Sequence, residues 1–277
     1  MTFPIILAHG VCRFDKLSND ILNLDNNDDP KMDHLHYFRG IRTMLKAQGF
    51  CVYHSNVGWA ANLESRSQDL KKNIDAVLKK EGVEKVNIIA HSMGGLDSRH
   101  MLFNGRNSNR IHERIASLTT ISTPHEGSPF ADWGTEHLPL VIPTARDLGL
   151  DLKALEDLRT DRCRTFNQAP AVIAFEEEAE KKILFQSYAG KQNFWGILAA
   201  LKLPFYIIEK SEGENDGLVS VKSAKWRDRY FKEILLETDH LNELGWWEPA
   251  QLYAGESDGQ LLRRIHDLYL TIAKGLP

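Results

Sequence analysis

The stretch Lys85–Met101, KVNIIAHSMGGLDSRHM, decides how the rest of the chain is read. Val86, Ile88, Ile89 and Ala90 make an apolar run of strand length, and the residues from Met93 onward suit a helix. Ser92 stands at the corner. A strand that turns at once into a helix needs small residues on both sides of the turn, here Ala90 and Gly94. This is the nucleophile-elbow pattern G-x-S-x-G, with Ala90 in the first glycine position. The turn forces strained dihedrals on the serine and lifts its hydroxyl out of the sheet. The next helix aims its first N–H groups and the positive end of its dipole at the same spot. The Met93 amide is therefore a candidate oxyanion donor. A serine that merely caps a helix gives a similar string, so the elbow needs partners elsewhere. His91 is expected to pack or position, because a neighbour in sequence points away from the serine.

Outward from this corner, strands and helices alternate. Pro4–Ala8, Phe50–His54, Ile115–Ser122, Ile183–Tyr188 and Lys232–Leu236 read as further strands. Tyr37–Gln48 reads as a helix, with Phe38, Ile41, Met44 and Leu45 on one face and Gly49 ending it. A second helix runs from an Asn62 cap to Glu81, with Leu63, Leu70, Ile74, Val77 and Leu78 at helical spacing and Gly82 as its stop. Leu261–Ala273 is a closing amphipathic helix. Residues 18–34, rich in Asn and Asp, read as a loop. This alternation, with continuous apolar strand cores, predicts an α/β fold: a mainly parallel central sheet with helices on both faces. No composition break divides residues 1–277, so one domain is expected. Pro129–Ala169 has few strand signals and carries the apolar patch Leu138–Pro143. It reads as a lid or cap insertion over the sheet.

The chain has 277 residues and a net charge of −4, which excludes a strongly basic nucleic-acid surface. Cys12, Cys51 and Cys163 are too few and too far apart for a disulfide framework or a metal cluster, and are expected as small buried residues. MTFPIILAHG runs straight into a strand without a legible signal peptide. The expected location is therefore cytoplasmic, or outside the cell by a leaderless route or after processing. No apolar run reaches the ~20 residues of a membrane-spanning helix.

A serine nucleophile needs a base, and the base an orienting carboxylate. In this architecture they follow in the order Ser, acid, His. With 11 histidines, position along the chain must select. SEGENDGLVSVKS, residues 211–223, offers Asp216 before Gly217, although N-D-G is also an ordinary turn and Glu212 and Glu214 compete. LLETDHLNELG, residues 235–245, offers His240 just past a predicted strand, at the carboxyl edge of the sheet where such sites lie. A surface-loop histidine is the plain alternative. Asp239 ranks below Asp216, since adjacent side chains diverge. For a second oxyanion donor, PIILAHGVCRFD places Gly10 after the first strand. Glycine permits close backbone approach, and Val11 N–H is the candidate.

Taken together, PIILAHG with RFD, YFRGIRTML, KVNIIAHSMGG, LTTISTPHEGSPFADW, NDGLVS and DHLNE resemble the bacterial true lipases of the Pseudomonas, Burkholderia and Proteus type, within the α/β-hydrolase fold. The likeness runs over nearly the whole chain. It implies Ser92 as nucleophile, Asp216 as acid, His240 as base, and Val11 and Met93 as oxyanion donors. It places His125 in a structural role at the pocket rim.

Three departures stand out. Members of this family bind calcium through two aspartates; here Asn242 and Gly196 stand at those positions, so no family-type calcium site is expected and no metal ligand is nominated, and Asn242 is expected to brace the His240 loop. The family disulfide after the N-D-G segment is absent at Val221 and Lys222, as in the Proteus branch, which also lacks a signal peptide. The lid region is short, which implies weak interfacial activation and short or medium acyl chains. The expected substrate is a lipid or small ester, cleaved by a monomer without an organic cofactor or a nucleic-acid partner, with transient lipid-surface contact through the lid. A carboxylesterase, polyester depolymerase or acyltransferase would use the same triad. A non-catalytic scaffold would typically have lost a triad member.

Overall fold

Six strands, β1 (Ile5–Ala8), β2 (Val52–His54), β3 (Val86–His91), β4 (Ile115–Ile121), β5 (Leu184–Lys191) and β6 (Phe231–Leu236), form one sheet in the order β2-β1-β3-β4-β5-β6. Every pairing is parallel. The computed structural model describes residues 2–11, 33–58, 61–140, 142, 152–249, 251 and 257–277. β3 and β4 are buried along their whole length, as strands covered on both faces must be. Their side chains alternate between two apolar layers. Ile89 and Ile121 join Leu7, Met93 and Tyr269 on one face. Ile88 and Leu118 join Ile6, Leu70 and Ile74 on the other.

The helices are α1 (Ile41–Ala47), α2 (Leu63–Glu81), α3 (Met93–Gly105), α4 (Pro129–Glu136), α5 (Leu152–Asp157), α6 (Thr160–Gln168), α7 (Pro170–Ala179), α8 (Lys202–Glu212), α9 (Val221–Ala224) and α10 (Asp258–Lys274). α2 starts where the sequence predicts. The Asn62 side chain accepts a hydrogen bond from Ser65 N at 2.9 Å, and Gly82 ends the helix at φ 64°. α10 opens with a reciprocal capping box between Ser257 and Gln260. Among the described residues no helix is long and apolar enough to cross a membrane.

Several boundaries differ from the sequence reading. The helix expected from Tyr37 starts only at Ile41, because Gly40 takes the left-handed conformation at φ 68° and breaks the register. Tyr37 and Phe38 are buried all the same, in the turn before it. The fourth strand stops at Ile121, since Ser122 has φ 43°. Phe205–Ile208, read only as an apolar stretch, lies inside α8. Of the insertion at 129–169, the described part is helical, as α4, α5 and α6; residues 141 and 143–151 lie outside the described residues. So does the Asn/Asp-rich segment, except Asp33 and His34, and so does Cys12. Cys163 is buried, but Cys51 is only half-buried, and both are free thiols.

Candidate active site

Ser92 joins β3 to α3 at φ 55° and ψ −132°, a conformation rarely adopted by a residue with a side chain. Such a residue costs on the order of 1–3 kcal/mol and persists only where its surroundings hold it. They do so here. Ser92 N donates to the Ile121 carbonyl at 3.0 Å. The Ser92 carbonyl accepts from Gly95 N at 3.1 Å and from Thr123 Oγ1 at 2.8 Å. The small residues of the corner have a steric reason. A Cβ on Gly94 would stand 2.4 Å from the Ala8 carbonyl oxygen, and one on Gly10 would stand 2.8 Å from Ser92 Cβ. Gly10 thus lets the loop after β1 approach the serine, and Val11 lines the same cavity as Ser92.

His240 lies four residues beyond the end of β6. Its Nδ1 is 2.7 Å from Asp216 Oδ2, and both side chains are fully buried. The other Asp216 oxygen accepts from Leu218 N at 2.8 Å and Val219 N at 2.7 Å. The Asp216 carbonyl accepts from His240 N at 2.9 Å. The N-D-G segment is thus a turn as well as a binding loop; its aspartate caps its own turn with one oxygen and meets the histidine with the other. An ionised carboxylate only accepts, so the proton lies on His240 Nδ1 and the lone pair on Nε2. Nε2 is buried and has no hydrogen-bond partner among the described residues. The competing acids are engaged elsewhere. Glu212 accepts from Ser220 Oγ at 2.6 Å and pairs with Arg164 at 2.8 Å, while Glu214 pairs with Lys191 at 2.5 Å.

Sequence reasoning missed a buried chain of polar groups behind this pair. The Tyr37 hydroxyl is 2.7 Å from His91 Nδ1, and His91 Nε2 is 2.8 Å from Glu243 Oε2. Ser122 Oγ donates to Glu243 Oε1 at 2.5 Å and accepts from Gly190 N at 2.9 Å. The His91 and His240 rings are 4.5 Å apart. Burial, helped by the nearby Asp216 charge, pushes the Glu243 carboxyl well above the usual carboxylate range. Burial also pushes His91 well below the usual histidine range. Both shifts favour the uncharged pair, in which the Glu243 carboxyl donates to Nε2 and Nδ1–H donates to Tyr37. His91, His240 and Glu243 bring possible ligand atoms within 4.8 Å of one another. Glu243 and His91 also hold hydrogen-bond partners of their own there, Ser122 and Tyr37. The sole sequence signal for Glu243 was its place one helical turn past His240.

The other expectations are placed as follows. His125 is buried, accepts from Arg99 Nη1 at 3.1 Å, meets Thr120 Oγ1 at 3.1 Å and stacks on Trp226. Asp239 faces away from His240. Its oxygens accept backbone N–H groups of Leu241 (2.9 Å), Asn242 (2.9 Å) and Leu198 (3.0 Å). Asn242 Oδ1 accepts from Asp239 N at 3.1 Å, which closes the loop on itself.

A cavity of about 30 Å³ adjoins Ser92, lined by Val11, Phe130, Ala131, Leu155, Leu158 and Leu218 among others. It is apolar and small, room for about two waters. A larger concavity of about 600 Å³ lies near Lys85, Arg106, Phe175 and Lys182. Lys85 precedes β3, so that concavity opens at the amino ends of the strands, opposite the serine.

Residues 61–150 match the family of the PGAP1-like alpha/beta domain. A triacylglycerol lipase of Pseudarthrobacter phenanthrenivorans is 34% identical, over 87% of this chain and 87% of that protein. Triacylglycerol lipase 2 of Saccharomyces cerevisiae is 29% identical, over 90% of this chain and 82% of that protein. Among solved structures, a metagenomic carboxyl esterase superposes with a TM-score of 0.67 at 16% identity, over 98% of this chain and 74% of the other. At that identity the likeness shows a shared fold.

Proposed function

The chain belongs to the triacylglycerol lipase family of α/β-hydrolases, and from that premise we propose that it hydrolyses carboxylic esters of lipids with Ser92 as nucleophile, His240 as base and Asp216 as the acid that orients it. The observation that carries the residue roles is the 2.7 Å contact between His240 Nδ1 and Asp216 Oδ2, which leaves Nε2 to accept a proton. As Ser92 Oγ attacks the ester carbonyl, Nε2 takes the hydroxyl proton. Asp216 offsets the imidazolium charge. The Val11 and Met93 amides receive the oxyanion. His240 then returns the proton to the alkoxide leaving group, and the acyl group stays on Ser92. Water, deprotonated by the same Nε2, attacks the acyl-enzyme and frees the acid. No organic cofactor enters these steps.

The cavity beside Ser92 favours a second reading on the same residues, a carboxylesterase for short acyl groups. About 30 Å³ does not hold a fatty chain unless Leu155, Leu158 and Phe130 shift. Exposed Leu138, Leu140 and Ile142, on the insertion, support brief contact of a monomer with a lipid surface.

Hydrolysis of nitrophenyl esters from two-carbon to sixteen-carbon acyl chains, with Ser92→Ala as control, tests both. Long-chain cleavage that vanishes in the variant supports the lipase reading. Cleavage confined to short chains supports the esterase reading. Activity retained by Ser92→Ala would overturn the nucleophile assignment. Rates that stay level as a short-chain triglyceride passes its solubility limit would show the weak interfacial activation expected of a short lid.

A further inference from the structure

Gln251 stands where the histidine loop meets the segment that follows β5. Its Nε2 donates to the Gly196 carbonyl at 2.7 Å and to Asp239 Oδ2 at 2.9 Å. Its Oε1 accepts from Glu248 N at 2.9 Å and from Asn242 Nδ2 at 3.3 Å. A carboxamide has two N–H groups and two acceptor lone pairs, and all four are in use. The Asp239 carboxylate therefore accepts four N–H groups, three from backbone and one from Gln251. Two of its partners, Leu241 N and Asn242 N, follow His240 directly. His240 is thus bracketed by bonds to its neighbour's carboxylate.

The lipases this chain resembles hold such a loop with calcium, through aspartates at the positions of Gly196 and Asn242. The residues here do not fit that ion. Calcium takes about six or more oxygen ligands, and its strong sites use charged carboxylates. Gly196 offers only a carbonyl, which Gln251 already occupies. Asn242 Oδ1 is taken by Asp239 N. The Asp239 carboxylate is surrounded by N–H groups, whose positive ends would face a cation.

We propose that the Gln251 carboxamide is a built-in cross-link that does the mechanical work of such an ion, pinning Asp239 to the Gly196 segment and so holding His240 against Asp216. Gln251 touches no substrate; it is a positioning residue. The inference rests on the assignment of Ser92 and His240 above.

The test is the rate at which a serine-reactive phosphonate labels Ser92, with kcat and KM on a soluble short-chain ester and their pH profile. Gln251→Met keeps the length and removes all four bonds. A displacement of about 1 Å at a reacting group costs up to about a hundredfold. Labelling and kcat should fall at least about tenfold while KM holds, and the pH profile should shift as the His240–Asp216 contact loosens. Chelator should leave wild-type rates unchanged, and added calcium should not raise them. Should Gln251→Met fail to fold, Gln251→Glu, which loses both donors and sets a carboxylate against Asp239, should show the same loss. Wild-type labelling rates in a folded variant overturn the cross-link, as does a wild-type enzyme that chelator slows and calcium restores. Absence of label on wild-type Ser92 instead overturns the active-site assignment.

Discussion

Arg66 and Asp97 form a fully buried two-pronged ion pair: Arg66 Nε lies 3.1 and 3.0 Å from the two Asp97 oxygens, and Nη2 lies 2.7 Å from Oδ2. The same guanidinium donates to the His9 carbonyl at 3.0 Å and the Gly58 carbonyl at 3.1 Å. One side chain on α2 thus ties α3 to the loop that carries Gly10 and Val11. Removing one partner of a buried pair costs about 3–5 kcal/mol. Arg66→Met should destabilise by that order in urea unfolding and slow phosphonate labelling of Ser92. Burial already pushes Asp97 up to about 6, against the pull of Arg66. Without Arg66 the native carboxyl holds its proton to higher pH still, so the native state binds more protons than the unfolded chain. The loss should therefore be smallest below about pH 6, where both native proteins hold this proton, and grow as pH rises through about 6, where wild-type Asp97 releases it and the variant's does not.

Acid should destabilise the fold well above the usual carboxylate range. Burial, with Arg66 nearby, lowers His9 to about 3, and burial, with Arg99 nearby, lowers His100 to about 3. Between about 3 and the 6.5 of a free histidine the unfolded chain binds protons that the native state refuses. Stability is thus fully present above 6.5 and falls as pH drops through that window, by about 1.4 kcal/mol per pH unit per histidine. Urea midpoints at pH 7, 6 and 5 check this. His100→Leu, which keeps an apolar side chain beside Phe166, should flatten the slope; an unchanged slope would remove His100 from the account.

Glu243 separates a proton-holding role from a charged one. Glu243→Gln keeps a donor for His91 and an acceptor for Ser122, so stability should stay close to wild type. Glu243→Ala leaves His91 and Ser122 unpaired in the interior, at about 1–3 kcal/mol per group. Thermal melts of the two variants, with ester hydrolysis alongside, distinguish these outcomes. Equal losses in both would mean that the ionised form matters.

The apolar wall beside Ser92 should set acyl-chain length. Leu158→Ala should enlarge the cavity and move the optimum of the nitrophenyl ester series toward longer chains. It should also cost about 2–5 kcal/mol of stability, as large-to-small core changes do. An unmoved optimum would place chain selection outside this wall.

The sequence by itself determined the layer order and the elbow. Hydrophobic period, the Asn62 cap and the Gly82 stop act locally, over one helical turn or one strand, and the small residues around Ser92 mark the elbow within its own stretch although the atoms that Gly94 makes room for lie on β1. Chain order also nominated Asp216 and His240, because each follows a strand or a turn that the local pattern marks. What only the tertiary structure decided joins residues far apart in the chain. The 2.7 Å approach of His240 to Asp216 depends on how the loop after β6 packs on the loop after α8. Glu243 meets His91 across 152 residues, and Gln251 meets Gly196 across 55. Glu243 carries no local signal beyond its spacing from His240, and Gln251 carries none. A buried polar side chain is set by whichever donors and acceptors the fold brings to it, and those partners are absent from its own stretch of sequence.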